Sequence, residues 1–212
     1  MALLNRYCTP EALKAALGMA AADLVDQDVI ESAIEAASRQ IDNHCGNGRK
    51  FWQDATVVAR SYYPSNSTML FVDDISTLTG LVVKVDTSDN GTFDTTLTIN
   101  TDFLVQPINA AAEYPAQAWT SIRLLDGALS GWPRPANRPT VQVTAKFGWP
   151  SVPDAVERAC VFQAKNVYKA PDQMFGSFQL AEEGSPLRIP TMDPLARGLL
   201  ETFIRYDEVD DG

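Results

Sequence analysis

The side chains with the greatest chemical reach in this sequence are few, and most stand apart. A single histidine, His44, sits beside one of three cysteines, Cys45. On a helix, adjacent residues point about 100° apart, so the two cannot act as a thiol–imidazole pair. A zinc site needs about four ligands at short spacings, and the chain supplies no such set. His44 therefore reads as a half-exposed histidine at a helix end, where a positive charge suits the dipole. Cys8, Cys45 and Cys160 form an odd set without C-x-x-C spacing. That predicts buried thiols and a reducing compartment.

Gly46-Asn47-Gly48-Arg49-Lys50 has the glycines and cations of a phosphate loop. The full motif needs Lys followed by Ser or Thr and then a helix, but Lys50 is followed by Phe51-Trp52 and strand-like sequence. A helix C-cap and loop accounts for the same residues. Asp86-Thr87-Ser88-Asp89-Asn90-Gly91 is a closer imitation of a binding motif. Asp86, Ser88, Asn90, Gly91 and Asp94 match a calcium loop, yet Leu97 stands where a bidentate Glu belongs. Turn chemistry explains these residues equally, because Asp and Asn side chains bond their own backbone in turns. The carboxylate pairs Asp73-Asp74 and Glu182-Glu183 read as solvated surface, since strand neighbours point to opposite faces. No catalytic residue, metal ligand or cofactor motif emerges, and the expectation is a protein that is not an enzyme and carries no cofactor.

The elements that would position these residues follow from proline placement. The chain has thirteen prolines, eight of them between Pro64 and Pro153 and none between Glu11 and Tyr63 or between Asp154 and Ala170. Proline is excluded from helix interiors, so the two free windows predict helices. Thr9-Pro10-Glu11 caps a first helix ending near Gly18. Asp26 or Asp28 caps a second, in which Ile30, Ile34, Ala37 and Ile41 form an apolar stripe ending at Cys45-Gly46. Ser151-Val152-Pro153-Asp154 opens a third, lined by Val156, Cys160, Ala164, Val167 and Tyr168, that ends before Pro171. Asp193-Pro194 caps a last helix in which Leu195, Leu199 and Phe203 step by four.

Between the helices the texture changes. Thr56–Tyr63, Leu81–Val85, Thr95–Ile99, Ser121–Leu125 and Thr140–Phe147 are rich in Thr, Val, Ile and aromatics and read as strands. Asp89-Asn90-Gly91 marks a hairpin and Gly131–Pro139 a rigid loop. Phe178, Leu180, Leu187 and Ile189 flank Glu183-Gly184-Ser185, a second, small hairpin, and residues 207–212 form an acidic tail. The expected division is 1–50 and 151–170 as two parts of a helical core, 51–150 as an inserted β domain, and 171–212 as hairpin, docking helix and tail.

The 212 residues are 45% hydrophobic and 21% charged, enough for a sizeable core without disulfides or a metal. A net charge of −10 argues against gripping nucleic acid through phosphates, which needs clustered Lys and Arg. The longest apolar run, Ala15–Ala22, is too short to cross a bilayer, and no export signal is expected at the N-terminus.

One combination is familiar. A Thr-Pro-capped helix leads to a second ending Ala36-Ala37-Ser38-Arg39-Gln40-Ile41-Asp42-Asn43-His44-Cys45-Gly46, followed by Arg49 and Phe51. After the insertion, Phe147-Gly148-Trp149-Pro150-Ser151-Val152-Pro153-Asp154 runs into a helix, and Asp193-Pro194 opens a leucine-rich helix ending Arg205-Tyr206. In this the chain resembles the head-to-tail adaptor (connector, or head-completion) proteins of long-tailed bacteriophages, particularly those of actinobacterial hosts. Asn47-Gly48 departs from the tighter Cys-Gly-Arg-x-Phe arrangement of that family.

The resemblance implies a structural virion protein of the neck, assembled in the host cytoplasm. It would form a homo-oligomeric ring, commonly dodecameric, docked beneath the portal protein. The ring would join the portal to the next connector or tail-terminator protein and line the channel for double-stranded DNA, with no sequence-specific contact and no membrane. Carried onto this chain, the portal-docking candidates are Asp193, Leu195, Leu199, Phe203 and Arg205; the leucine stripe could equally pack on its own core. Channel-lining candidates are Asp23, Asp26, Asp28, Glu31 and Glu35, because a wall that repels phosphate lets DNA slide. The expected fold is α+β: an antiparallel helical bundle core with an inserted β domain and an extended C-terminal helix and tail. The alternative function is a calcium- or carbohydrate-binding β module with helical flanks.

Overall fold

In a computed structural model of the chain, residues 5–24, 26–46, 49–134, 137–177 and 192–205 are described. The fold is mixed helix and antiparallel sheet, with four α-helices and six strands among those residues. The chain divides into two units, Met1–Gly48 with Val152–Asp207, and a second built on Arg49–Ser151.

The first unit holds the helices. Helix α1 (Pro10–Leu17) starts where Thr9 Oγ1 accepts the Ala12 N–H, and it ends at Gly18, whose φ of 76° suits glycine in a left-handed cap. Lys14 is buried on α1, and its ammonium donates to the carbonyls of Ala21 and Asp23, so the turn after the helix folds back over it. Helix α2 (Gln27–Cys45) buries Ile30, Ala33, Ile34, Ala37, Ser38 and Ile41, the stripe its periodicity predicts. Asp26 sits at its N-cap position but in the left-handed region, and its side chain makes no cap bond. The carboxylate turns instead to the Tyr168 hydroxyl, 3.2 Å away.

Helix α3 (Asp154–Ser177) continues through Pro171 rather than stopping before it. A proline inside a helix removes one backbone hydrogen bond, and the turns on either side carry the rest. Val156, Ala159, Cys160 and Ala164 are buried, and α3 packs against α2, α1 and α4. Asp26, at the start of α2, meets Tyr168, whereas Ser38, farther along, meets Cys160, so α2 and α3 run in opposite senses. Helix α4 (Pro194–Leu200) is short and gives way to a 3-10 turn at Glu201–Phe203, so the extended final helix is not formed. A leucine-rich segment of this length buries one small face and then leaves helical geometry. The expected hairpin at 183–185, with its flanking residues Phe178, Leu180, Leu187 and Ile189, lies outside the described residues. So do Glu182-Glu183 and the acidic tail.

The second unit is a sheet in the order β1-β6-β2-β5-β4, with β3 paired to β2. Its strands are β1 (Val58–Tyr62), β2 (Met69–Val85), β3 (Thr95–Leu97), β4 (Phe103–Gln106), β5 (Trp119–Leu124) and β6 (Val141–Phe147). In β6, Val141, Val143, Ala145 and Phe147 are buried and the residues between them are not, as strand alternation requires. They pack with Leu70, Val72, Val83, Val85 and Ile122 in one core.

Two strands differ from expectation. β4 is absent from the sequence reading, and β2 is seventeen residues long instead of the five of Leu81–Val85. β2 pairs β5 through its first half and β6 through much of its length, with register shifts near Phe71–Ile75 and Thr77–Val82. The step from Thr77 to Val82 on β2 matches only that from Lys146 to Thr144 on β6, and Leu78, Thr79 and Gly80 stand exposed in the bulge.

Candidate interaction surfaces

Each residue singled out by the sequence can now be placed. On α4, Asp193 is the helix cap: Oδ1 accepts the N–H groups of Leu195 (2.8 Å) and Ala196 (3.2 Å). Its other oxygen accepts from Asn166 at 3.0 Å, and its own N–H donates to Gln163 Oε1 at 2.7 Å. Gln163 is buried on α3 and also donates to Gln40 of α2 at 2.6 Å. Asp193 is thus held within the helical unit.

The packed face of α4 is not the Leu195–Leu199–Phe203 stripe. Met192, Ala196 and Leu200 face inward, while Leu195 is 65% exposed and Leu199 and Phe203 are half-buried. After the 3-10 turn, the Arg205 N–H donates to the Cys45 carbonyl at 2.8 Å and satisfies one of the last orphan acceptors of α2.

Asp28, Glu31 and Glu35 fall at i, i+3 and i+7 on α2, and the helical turn sets them along one face away from the isoleucine stripe. Asp28 and Glu35 are exposed; Glu31 is half-buried and accepts from Gln27 at 2.8 Å. Asp42 continues the ridge and pairs with Arg39 at 3.2 Å. Asp23 and Asp26 precede the helix, and Asp23 is half-buried. The structure therefore groups three of the five acids on a helix face and leaves two on the connection before it.

His44 does sit half-buried at the end of α2, but its environment disfavours the positive charge expected there. Burial, then the nearby Arg197, lowers its pKa, and Nε2 has no hydrogen-bond partner among the described residues.

The calcium-like loop joins β2 to β3. The Asp86 carboxylate is buried and accepts N–H groups from Ser88 (3.1 Å), Asn90 (3.2 Å) and Gly91 (2.6 Å). Desolvation raises its pKa, yet the N–H donors of Gly91, Asn90, Ser88 and Asp89 outweigh this and hold it below the ordinary range. Its oxygens are turned onto the loop's own backbone. Among the described residues, no group of three or more His, Cys, Asp or Glu is placed to hold a metal ion.

One cluster escaped the sequence reading. Asp74 is a buried residue, not a solvated one. Arg49 Nε lies 2.8 Å from its Oδ2, and Trp149 Nε1 donates to the same oxygen at 2.9 Å. The guanidinium also stacks 5.2 Å from the Trp149 ring, which packs on Phe51 at 5.4 Å. Asp73 points the other way, accepting from Arg60 (2.6 Å) and Tyr62 (2.9 Å). The supposed phosphate-loop cations are thereby both paired with carboxylates, since Lys50 lies 2.5 Å from Asp54. Arg49, Phe51 and Trp149 each stand in the stretches that carry the resemblance, but nothing in their spacing joins them.

An open groove of about 560 Å³ in the second unit is lined by Ser67, Thr87, Ser130, Trp132 and Arg134. Trp132 is buried, with Nε1 on the Thr68 carbonyl, so its ring is no platform for a sugar. No helix among the described residues is long and apolar enough to cross a membrane.

No family model and no curated protein matches the chain. Solved structures do. A chain in the neck of an empty gene transfer agent particle, computed with C6 symmetry, is 16% identical with a TM-score of 0.54, covering 100% of this chain and 96% of that one. A chain in the virion of a native gene transfer agent particle is 17% identical at a TM-score of 0.46, covering 96% and 89%. A third, from the neck of the native particle computed with C12 symmetry, is 15% identical at 0.43, covering 100% and 99%. At such identity the first likeness is one of fold, and it runs the length of both chains.

Proposed function

We propose that this chain is a structural neck protein of a phage-like particle, a head-to-tail adaptor that forms a ring beneath the portal. The carrying observation is the end-to-end likeness of fold to a neck chain of a gene transfer agent particle. It joins a sequence resemblance that pointed to the same place independently. The four helices serve as the ring-forming bundle, and the dodecameric count follows the adaptor family. The ring joins the DNA-filled head to the next connector or tail terminator, without enzymatic activity.

Two surfaces fit this role. Leu195 presents an apolar side chain to solvent on a helix whose opposite face is already packed, which suits docking against the portal. Asp193 and Arg205 set the position of that helix by their bonds to α3 and α2. The Asp28–Glu31–Glu35 ridge, with Asp23 and Asp26 before it, gives the acidic wall along which DNA slides.

Native mass spectrometry of the purified chain with a portal ring tests the reading. Uptake of one adaptor per portal subunit, lost in Leu195→Glu, is expected. Absence of uptake with both partners folded overturns the adaptor role, and uptake that Leu195→Glu leaves intact moves the docking surface elsewhere.

A further inference from the structure

Helices α2 and α3 run antiparallel and bury stripes against each other, so each has a side turned away from its partner. On α3 that side is basic. Arg158, Phe162, Lys165 and Lys169 fall at i, i+4, i+7 and i+11. That spacing makes one ridge about 16 Å long, on the opposite side of the helix from the buried Val156, Cys160 and Ala164. Arg158 and Lys169 are exposed, and Phe162 and Lys165 are half-buried. None of the three cations makes an ion pair among the described residues, in a chain whose net charge is −10.

On α2 the side turned away from α3 is apolar with an acidic border. Val29 is 51% exposed, and Ser32, one turn on, is exposed beside it. Leu24, 79% exposed, stands in the turn that leads into the helix, where its carbonyl accepts the Gln27 N–H at 3.4 Å. Asp26 and Asp28, both exposed, border these residues. Glu31 and Glu35 lie about a quarter turn or more around the helix, so the channel-facing acids and this side share only the corner at Asp28.

The two surfaces complement each other: two aliphatic side chains bordered by acids, and one aromatic side chain among cations. They point in opposite directions across one helix pair, so they cannot meet within a chain. A second copy placed alongside brings one onto the other. Because the surfaces differ, the contact is heterologous, repeats head to tail and closes as a ring. We propose that the Arg158–Phe162–Lys165–Lys169 ridge of one copy docks on the Leu24–Val29 surface of the next, with Asp26 and Asp28 against its cations. This rests on the neck-ring reading above and adds to it the seam between copies. A DNA duplex suits the ridge less well, since its phosphates offer Phe162 nothing to bury against.

Charge reversal on either side of the seam tests it. One variant carries Arg158→Glu, Lys165→Glu and Lys169→Glu. The other carries Asp28→Lys and Ser32→Lys, which leaves Asp26 and its bond to Tyr168 in place. Each is added to a portal ring at a half-saturating concentration and read by native mass spectrometry. The wild-type chain is expected to give portals that are empty or full, because neighbours hold one another. Each variant alone meets like charge at every seam, gives partial occupancies, and needs about 100-fold more chain to fill the ring. An equimolar mixture alternates around the ring and restores empty-or-full loading with equal numbers of the two masses. Wild type that never loads overturns the neck reading itself. Wild type that loads without cooperativity, or variants that load as it does, overturn the seam alone. So does a mixture no better than its components, or a ridge variant that assembles normally but loses binding of a DNA duplex. Should either variant not fold, carbodiimide coupling of mixed light and heavy wild-type chains on the portal decides. A link from Asp26 or Asp28 to Lys165 or Lys169 between two chains is expected, and its absence overturns the seam.

Discussion

Arg49 and Asp74 form a buried ion pair 2.8 Å long, with side-chain exposures of 11% and 3%. Arg49 stands at the start of the β unit and Trp149, which shares the same carboxylate oxygen, near its end. A single acid thus joins the first residue of the insertion to one near its end. Removing it leaves a cation without its carboxylate in a desolvated site. Asp74→Ala is expected to cost about 3–5 kcal/mol, whereas a double replacement of Arg49 and Asp74 by apolar residues of similar size costs markedly less. Urea unfolding of both variants measures the difference; equal losses would mean the pair is not coupled.

Gly148 precedes Trp149 with a φ of 105°, and its N–H donates to the Asp74 carbonyl at 2.7 Å. A Cβ there would come within 1.8 Å of the Trp52 carbonyl oxygen. Gly148→Ala is therefore expected to cost about 3 kcal/mol or more, from the clash and the positive φ together. Gly18→Ala, with nothing within 4 Å of the added atom, keeps only the penalty of its φ and costs about 1 kcal/mol. Thermal melts of the two should separate widely.

Asp86 is held below its ordinary pKa in the folded chain. The folded value is below the unfolded one, so the unfolded state binds more protons and stability rises with pH across that interval. Its contribution is complete above the unfolded value, about pH 4, and is lost as pH falls through the folded one. Asp86→Asn should flatten acid unfolding in that window while lowering the melting temperature at neutral pH. Calcium should raise the melting temperature of neither form. A calcium-dependent rise abolished in Asp86→Asn would revive the binding-module reading.

Leu195 and Leu200 lie on the same short helix with opposite exposures. Leu195→Glu is expected to change stability by less than about 0.5 kcal/mol. Leu200→Ala, which opens a cavity against α3, should cost about 2–5 kcal/mol. If Leu195→Glu proved equally damaging, the outward face of α4 would be part of the chain's own core and could not dock a partner.

Replacing Asp28, Glu31 and Glu35 together by Lys should leave the melting temperature close to wild type, since these acids lie on a face away from the core. It should slow DNA ejection from assembled particles, with a dependence on salt. Ejection unchanged by this reversal would remove α2 from the channel wall.

Helices α1 and α2 were legible because caps and period agreed: Thr9-Pro10, Gly18, and an isoleucine stripe with no interruption. The first half of β2 was not, because Asp73-Asp74 reads as surface. Only the folded partners, Arg60 on one side and Arg49 with Trp149 on the other, make two carboxylates tolerable there. On helix α4 the sequence left two faces open. Residues 192, 196 and 200 share the four-residue step of 195, 199 and 203, and hydrophobicity alone favours the larger set. At the candidate docking surface, then, the residues came from the resemblance, while periodicity left open whether they face the chain's own core or solvent.

The helical unit is assembled from two pieces of chain separated by the entire β unit. Ile30, Ile34 and Ile41 belong to α2, yet the longer of the two helices that pack on it begins at Asp154. A ribosome adding about 5–20 residues per second therefore leaves that isoleucine face without its partner for several seconds or more. Through that interval the nascent chain carries an apolar stripe that only the short α1 can cover, while the sheet has everything it needs to form. Production of the protein should then depend on holdase chaperones during translation far more than refolding of the finished chain does.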